Sequence, residues 1–183
     1  MASAATRHRL PVVYCNQVGG NDELVFDGRS RVVGADGAVL AQAKAFEPDL
    51  LVVDVPVDGA AREAKRNGGA DRNVSHLTAD PDEAMKGITP PTEVADAYHA
   101  LVLGIRDYFR KLALPPGAVL GLSGGIDSAV TAELAVEALG PDRVLGLIMP
   151  GPFSSEHIVR DAEALGANLG IALRRVDIRP IYD

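Results

Sequence analysis

The densest chemistry in this sequence lies in Gly121-Leu122-Ser123-Gly124-Gly125-Ile126-Asp127-Ser128. Glycines 124 and 125 let the backbone come close to a ligand, two serines offer hydroxyls, and Asp127 is a hard oxygen ligand suited to magnesium. The preceding residues, Ala118 to Leu122, read as a short buried strand, and from Ser128 the apolar residues Val130, Leu134 and Leu139 recur at roughly helical spacing. Strand, glycine turn and helix start therefore meet at one point. Free amides at a helix start point toward negative charge, so phosphate is the expected guest. The bland alternative is an ordinary strand-to-helix turn in which Asp127 serves as an N-cap just ahead of Ser128. The stretch is not a Walker loop, which needs a lysine missing here, nor the Gly-x-Gly-x-x-Gly fingerprint, whose glycine spacing it lacks.

Such a loop has to be held by a sheet and its helices. After Pro90-Pro91 the pattern predicts helix 92–112, strand 118–122, helix 128–139, strand 144–149, helix 155–169 and strand 171–176. That alternation implies an α/β unit with a parallel sheet, and ligands of such sheets bind outside the carboxyl ends of the strands, where the loop lies. In the first helix Val94, Tyr98, Leu101, Val102, Ile105, Tyr108, Phe109 and Leu112 form one apolar stripe, and Pro115-Pro116-Gly117 stops it. His99 within it reads as a surface residue. The third helix opens at Ser154-Ser155-Glu156, with either serine as N-cap; contact with nucleotide or pyrophosphate is the other role open to them, and His157 has no assigned part.

Residues 10–58 differ in kind. They carry short β-like runs at Leu10–Tyr14, Leu24–Phe26, Arg31–Val33, Val39–Ala43 and Leu50–Val55, punctuated by Gly19-Gly20, Asp27-Gly28 and Asp36-Gly37. From Asp58 to Thr89 large apolar groups are few, which predicts a linker. Three segments follow: 1–58, a linker at 59–91, and 92–183. The 183 residues are 47% hydrophobic but only 4% aromatic, which suits a globular core of Val, Leu, Ile and Ala. A net charge of −7 argues against a nucleic-acid-binding surface, which would need a basic face. No stretch approaches the roughly 20 apolar residues needed to span a bilayer, and the first nine residues have no apolar core for a secretory leader. The single Cys15 allows no intrachain disulfide, and the cytoplasm is the expected compartment.

Ser-Gly-Gly-Ile-Asp-Ser (123–128) resembles the loop of the ATP pyrophosphatases, which cut ATP between the α- and β-phosphates to activate a carboxyl or carbonyl group as an adenylate. The resemblance implies that residues 121 to 128 bind ATP and pyrophosphate and that Asp127 holds Mg2+. The neighbouring blocks narrow it. Leu-Val-Leu-Gly-Ile-Arg-Asp-Tyr (101–108), Val-Leu-Gly-Leu-Ser-Gly-Gly-Ile-Asp-Ser-Ala (119–129), Met149-Pro150, Phe-Ser-Ser-Glu (153–156), Asp-Ala-Glu-Ala-Leu (161–165) and Asn-Leu-Gly-Ile (168–171) together resemble the NAD synthetases. That family implies a doubly wound parallel sheet of the adenine nucleotide alpha hydrolase type. It also implies amidation of deamido-NAD to NAD: the nicotinate carboxylate attacks the α-phosphate of ATP, pyrophosphate leaves, and ammonia displaces AMP from the acyl-adenylate. A homodimer or larger assembly is implied as well.

The segment from Pro11 to Ser30 resembles the late part of the nitrilase-type amidase, an α-β-β-α domain, that precedes glutamine-dependent NAD synthetases and supplies ammonia from glutamine. The match begins downstream of that amidase's Glu, Lys and nucleophilic Cys. Cys15 accordingly reads as a small buried core residue in a strand running into Asn16-Gln17, and Asp22, Glu23 and Asp27 as turn and interface residues, not an acid/base pair. No catalytic residue is assigned. The resemblance leads us to expect an internal piece of such an enzyme that alone neither hydrolyses glutamine nor makes NAD at a useful rate. Two rival classes stand beside it: another ATP pyrophosphatase, of the GMP synthetase or tRNA-modifying type, and a non-catalytic nucleotide-binding module. No membrane or nucleic-acid partner is expected.

Overall fold

The structure, a computed structural model, describes residues 1–55, 93–115, 117–152 and 154–181. The linker expected at 59–91, together with Pro116 and Phe153, lies outside the described residues. The chain divides into two compact units, Met1–Gly19 with Phe26–Thr92, and Gly20–Val25 with Glu93–Asp183.

The first unit holds helix α1 (Ala2–His8) and a three-stranded antiparallel sheet in the order β1 (Val12–Tyr14), β4 (Arg31–Val33), β5 (Val39–Gln42). Strand β4 is central, and its Val32 and Val33 are buried together with Ala5 and Ala43. Gly37 sits at φ +89 in the β4–β5 turn, where a Cβ would come 2.8 Å from Thr6 Cγ2, so a side chain is excluded by both conformation and space. Strands β2 (Val18–Asn21) and β3 (Leu24–Asp27) pair as a separate hairpin. Two sequence expectations change. Gly19-Gly20 lies inside β2, and the turn falls two residues later, at Asp22-Glu23 with Asp22 at φ +52. Leu50–Val55 forms no strand: Leu50 and Val52 are exposed, and β propensity without a neighbouring strand to pair with does not make one. Helix α1 carries no motif that pattern reading would have found in a seven-residue segment.

The second unit is an α/β layer built on a parallel sheet in the order β6 (Ala118–Gly121), β7 (Val144–Ile148), β8 (Ala172–Arg175), with Leu120 beside Gly146 and Gly146 beside Leu173. Helix α2 (Glu93–Lys111) precedes it, α3 (Ile126–Leu139) joins β6 to β7, and α4 (Glu156–Leu169) joins β7 to β8. Helix boundaries fall within two residues of the sequence expectation. The core is made of Val102, Leu122, Leu134, Leu139, Val144, Ile148 and Ile171, with Ala132, Ala135, Ala138 and Ala162 where elements approach closely. The opposite sheet surface, carrying Val119, Leu145 and Leu147, is exposed or half-buried. The apolar stripe of α2 divides: Tyr98, Val102, Ile105 and Phe109 turn to the core, while Val94, Leu101, Tyr108 and Leu112 remain exposed. Eight apolar positions wrap more of the helix than the core can cover. Likewise Val130 of α3 is half exposed.

Asp107 is the one buried charged residue among the described residues, at 4% exposure. Its carboxylate accepts the Gly20 N–H at 3.0 Å and pairs with Arg110 at 2.8 Å and Lys111 at 3.4 Å, while the Lys111 ammonium donates to the Gly20 carbonyl. Both backbone groups of Gly20 are thus met by side chains, as a neighbouring strand would meet them, and a buried amide left unpaired would be costly. Asp107→Ala should lower unfolding stability by about 2 kcal/mol, and Asp107→Asn, which still accepts from Gly20, by clearly less. Urea unfolding of the three chains checks this, and equal midpoints for Asp107→Ala and the parent would refute it.

Candidate functional site

The loop 121–128 starts where β6 ends and is fastened at three places. The Leu122 N–H donates to the Leu147 carbonyl at 2.8 Å, continuing the sheet one residue past β6, and the Leu122 side chain is buried in the core. Leu122 is therefore the loop's anchor. Gly124 adopts φ +76 and presses on α4: a Cβ there would lie 2.6 Å from the Ile158 carbonyl oxygen and 2.9 Å from Ile158 Cγ2. Gly121 faces Met149, whose Cε would lie 3.1 Å from a Cβ at position 121. The third fastening is internal. Ser128 Oγ accepts the Ser123 N–H at 3.3 Å, lies 3.1 Å from Ser123 Oγ, and donates to the Gly125 carbonyl at 2.9 Å. Ser123 Oγ in turn accepts the Gly125 N–H at 3.3 Å.

Helix α3 begins at Ile126 with Gly125 as N-cap in extended conformation and no side-chain cap. The alternative of Asp127 as N-cap is thereby corrected: the glycine's extended backbone starts the helix two residues earlier, and Asp127 falls in the first turn, exposed, where the helix dipole favours its negative charge. Ile126 is also exposed. Among the described residues no three His, Cys, Asp or Glu side chains gather as a metal cluster. A lone exposed carboxylate beside open amides suits magnesium, which keeps several waters and is commonly held through one or two carboxylates plus the phosphates it accompanies.

The other singled-out residues separate cleanly. Ser155 is the N-cap of α4 and accepts the Ile158 N–H, and Ser154 Oγ accepts the Gly151 N–H at 3.0 Å, so both hydroxyls have capping partners. His157 pairs with Asp161 at 3.2 Å on the surface of α4, and His99 is exposed. Cys15 is exposed and lies just past the end of β1, which corrects the buried strand position expected for it. The chain leaves the sheet there, and Asn16 is tied instead to Ser30 and Asp27. Asp27 also pairs with Arg29 at 3.1 Å, while Asp22 and Glu23 occupy the hairpin turn, so the three acids share no acid/base geometry.

Sequence reasoning passed over a polar cleft of about 460 Å³ beyond the carboxyl ends of β7 and β8, lined among others by Ser154, Glu156, Arg160, Arg175 and Arg179. Its only sequence signal was the charge-rich run from Arg174 to Arg179. There the single Arg179 Nε–H is shared between the two Asp177 carboxylate oxygens, at 2.9 and 3.0 Å, and bonding to this guanidinium holds the carboxyl down at about 2.

Comparison with known proteins follows the division of the chain. Residues 1–65 match the family model for carbon–nitrogen hydrolase, and residues 97–183 that for NAD synthase. The chain is similar to glutamine-dependent NAD(+) synthetases. It is 38% identical over 181 residues to that of Synechocystis sp., covering 99% of this chain and 29% of the relative, and 46% identical over 182 residues to that of Aquifex aeolicus, covering 93% and 32%. The glutamine-dependent NAD+ synthetase of Acinetobacter baumannii, solved in complex with adenosine diphosphate, superposes with a TM-score of 0.76 at 33% identity, covering 98% of this chain and 30% of that one. The chain spans about a third of the length of the curated relatives it matches.

Two expectations follow. Gly124→Ala forces a side chain onto a positive-φ position and into the Ile158 carbonyl, so it should cost roughly 1–3 kcal/mol and displace the loop, read as a lowered urea midpoint with changed amide shifts from Ser123 to Ser128. In a carbon-detected NMR titration the Asp177 carboxyl should titrate at about 2 in the parent chain and rise toward 3.8 in Arg179→Ala. Because the folded value is depressed, any stability from this pair is present above the ordinary carboxylate range and fades as pH falls through about 2. A carboxyl that titrates alike in both chains would refute the assignment.

Proposed function

We propose that residues 121–128 bind ATP through its β- and γ-phosphates and retain the departing pyrophosphate, with Gly121, Leu122, Ser123, Gly124, Gly125, Ile126, Asp127 and Ser128 forming the loop and Asp127 holding Mg2+. The observation that carries this is the loop's position: it leaves the carboxyl end of β6 and delivers unpaired amides at the start of α3. The bound ADP of the Acinetobacter baumannii relative supports the same reading. The cation would screen charge on the phosphates, and the chain's own part is to orient them with backbone donors and one carboxylate.

The whole reaction we assign is the ATP-dependent amidation of deamido-NAD to NAD. The carboxylate is first activated as an acyl-adenylate, because ammonia has little to attack in a resonance-stabilised carboxylate, and ammonia from glutamine then displaces AMP. The order of the two family matches along the chain supports it: a carbon–nitrogen hydrolase segment, able in kind to release ammonia, precedes the NAD synthase segment. On this reading residues 1–58 belong with the amidase and 92–183 with the synthetase, the working enzyme is a homo-oligomer, and its compartment is the cytoplasm. The described residues contain no helix long and apolar enough to cross a membrane.

Calorimetric titration of the 183-residue chain with ATP in the presence of magnesium tests the site. Asp127→Asn should weaken binding by about tenfold or more and reduce its dependence on magnesium. Unchanged affinity in that variant would sink the assignment.

A further inference from the structure

None of residues 121–128 lines the cleft of about 460 Å³ beyond the carboxyl ends of β7 and β8. Its chemistry is its own. Past the two strands their ladder runs on, with the Val176 N–H donating to the Ile148 carbonyl at 2.9 Å and the Ile178 N–H to the Pro150 carbonyl at 3.3 Å. That backbone is fixed and carries Arg175 and Arg179 to the cleft, while α4 contributes Glu156, Arg160 and Glu163. Three guanidiniums therefore meet here from three different segments. Arg179 is held by Asp177, to which its Nε and Nη2 both donate, so its planar fork is set while Nη1 has no protein partner among the described residues. Arg175 Nη1 lies 3.9 Å from Glu163 Oε1, too far for a hydrogen bond. Arg160 makes no hydrogen bond or ion pair through its side chain among the described residues. Ser154 Oγ accepts the Gly151 N–H at 3.0 Å and still has its own hydrogen to donate.

Guanidinium forks with donors to spare suit phosphate, whose oxygens they can meet two at a time. Charge alone does not choose the ligand. Against the three guanidiniums stand the carboxylates of Glu156, Glu163 and Asp177, so a bare anion gains little from the cleft as a whole. Ionised Glu156 and Glu163 can only accept hydrogen bonds, and a ligand that fits must bring donors to them. Hydroxyls do this without adding charge. We propose that this cleft binds the phosphate monoester of a polyhydroxylated body, a sugar phosphate in class: Arg160, Arg175 and Arg179 take the phosphate, and Glu156 and Glu163 accept from the hydroxyls. The volume lies within the range of small-molecule sites. The site stands independently of the nucleotide reading of the loop, and because its arginines are exposed its affinity falls as salt rises.

Glucose 6-phosphate titrated into the isotope-labelled 183-residue chain, followed by NMR, tests this, with glucose and inorganic phosphate titrated in parallel. Saturable shifts should appear in the amides of Ser154 to Glu163 and Arg175 to Arg179 and in the arginine Nε–H signals. Glucose should move none of them, and inorganic phosphate should bind roughly fivefold more weakly than the ester. Arg160→Gln and Arg179→Gln should each weaken the ester by roughly fivefold or more, and Arg160→Lys, which keeps the charge but loses the fork, by less. Glu156→Ala should narrow the gap between ester and inorganic phosphate, because only the ester uses that carboxylate. All three positions are exposed, so the variants should keep the fold, which unmoved amides in β6 report. An ester that gives no saturable shift, that shifts only residues 121–128, or that binds no better than inorganic phosphate overturns the proposal. Parent-like affinity in Arg160→Gln does the same.

Discussion

The loop of this chain depends on one close approach, that of the Gly124 backbone to the Ile158 carbonyl, which leaves a Cβ only 2.6 Å of room. Everything around it serves that approach. Strand β6 brings the backbone to the carboxyl edge of the sheet, Leu122 fixes the exit by a bond to β7 and a buried side chain, and Ser155 caps α4 so that its first turn presents Ile158 at the right height. Only glycine relieves both the positive φ and the missing space. The glycine pair is usually credited with letting a ligand come near, but here half of its work is to let a helix come near. On the proposed reading, the ligand side of the loop is a consequence of the packing side.

A second contact, far from the loop, has the same logic with charge in place of space. Asp107 and Lys111 stand one helical turn apart on α2 and meet the N–H and C=O of Gly20. A carboxylate and an ammonium at that spacing reproduce the donor and acceptor of a strand. The pair also explains why α2 does not bury its whole apolar stripe. The helix has two neighbours to satisfy, a core on one side and a hairpin tip held by charges on another, and Tyr108 and Leu112 fall on the surface left over.

Much of the second unit was legible because its signals are local and strong. The run Ala118–Leu122, the glycine turn and the apolar spacing after it each point to one element, and together they give strand, loop and helix in the right order, with the helix start two residues late. What local pattern could not supply was partnership. Leu50–Val55 has the composition of a strand but no strand beside it, and Gly19-Gly20 has the composition of a turn but is held extended by a carboxylate 87 positions away in sequence. The start of α3 was misplaced for a related reason. An N-cap is sought among Ser, Thr, Asp and Asn, whereas Gly125 caps through backbone conformation alone, leaving Asp127 free to lie in the first turn. Cys15 was misjudged because burial follows from where the sheet ends, and the boundary of β1 is a tertiary fact.

The choice of amides over a cationic side chain has an electrostatic consequence. The loop carries no lysine or arginine, and the chain as a whole carries a net charge of −7. What the start of α3 offers an anion is a partial charge of about one half from its aligned peptide dipoles, set against a full negative charge on Asp127. A bare pyrophosphate would meet a site whose net charge is negative. On the proposed reading, binding requires that positive charge arrive with the ligand, and Asp127 ceases to be a liability once a divalent cation comes in with the phosphates. A lysine at the same place would hold phosphate without the metal and would hold it after the bond is cut as well as before. A site whose attraction is shared between fixed dipoles and a cation that travels with the ligand can bind strongly and still let its product leave.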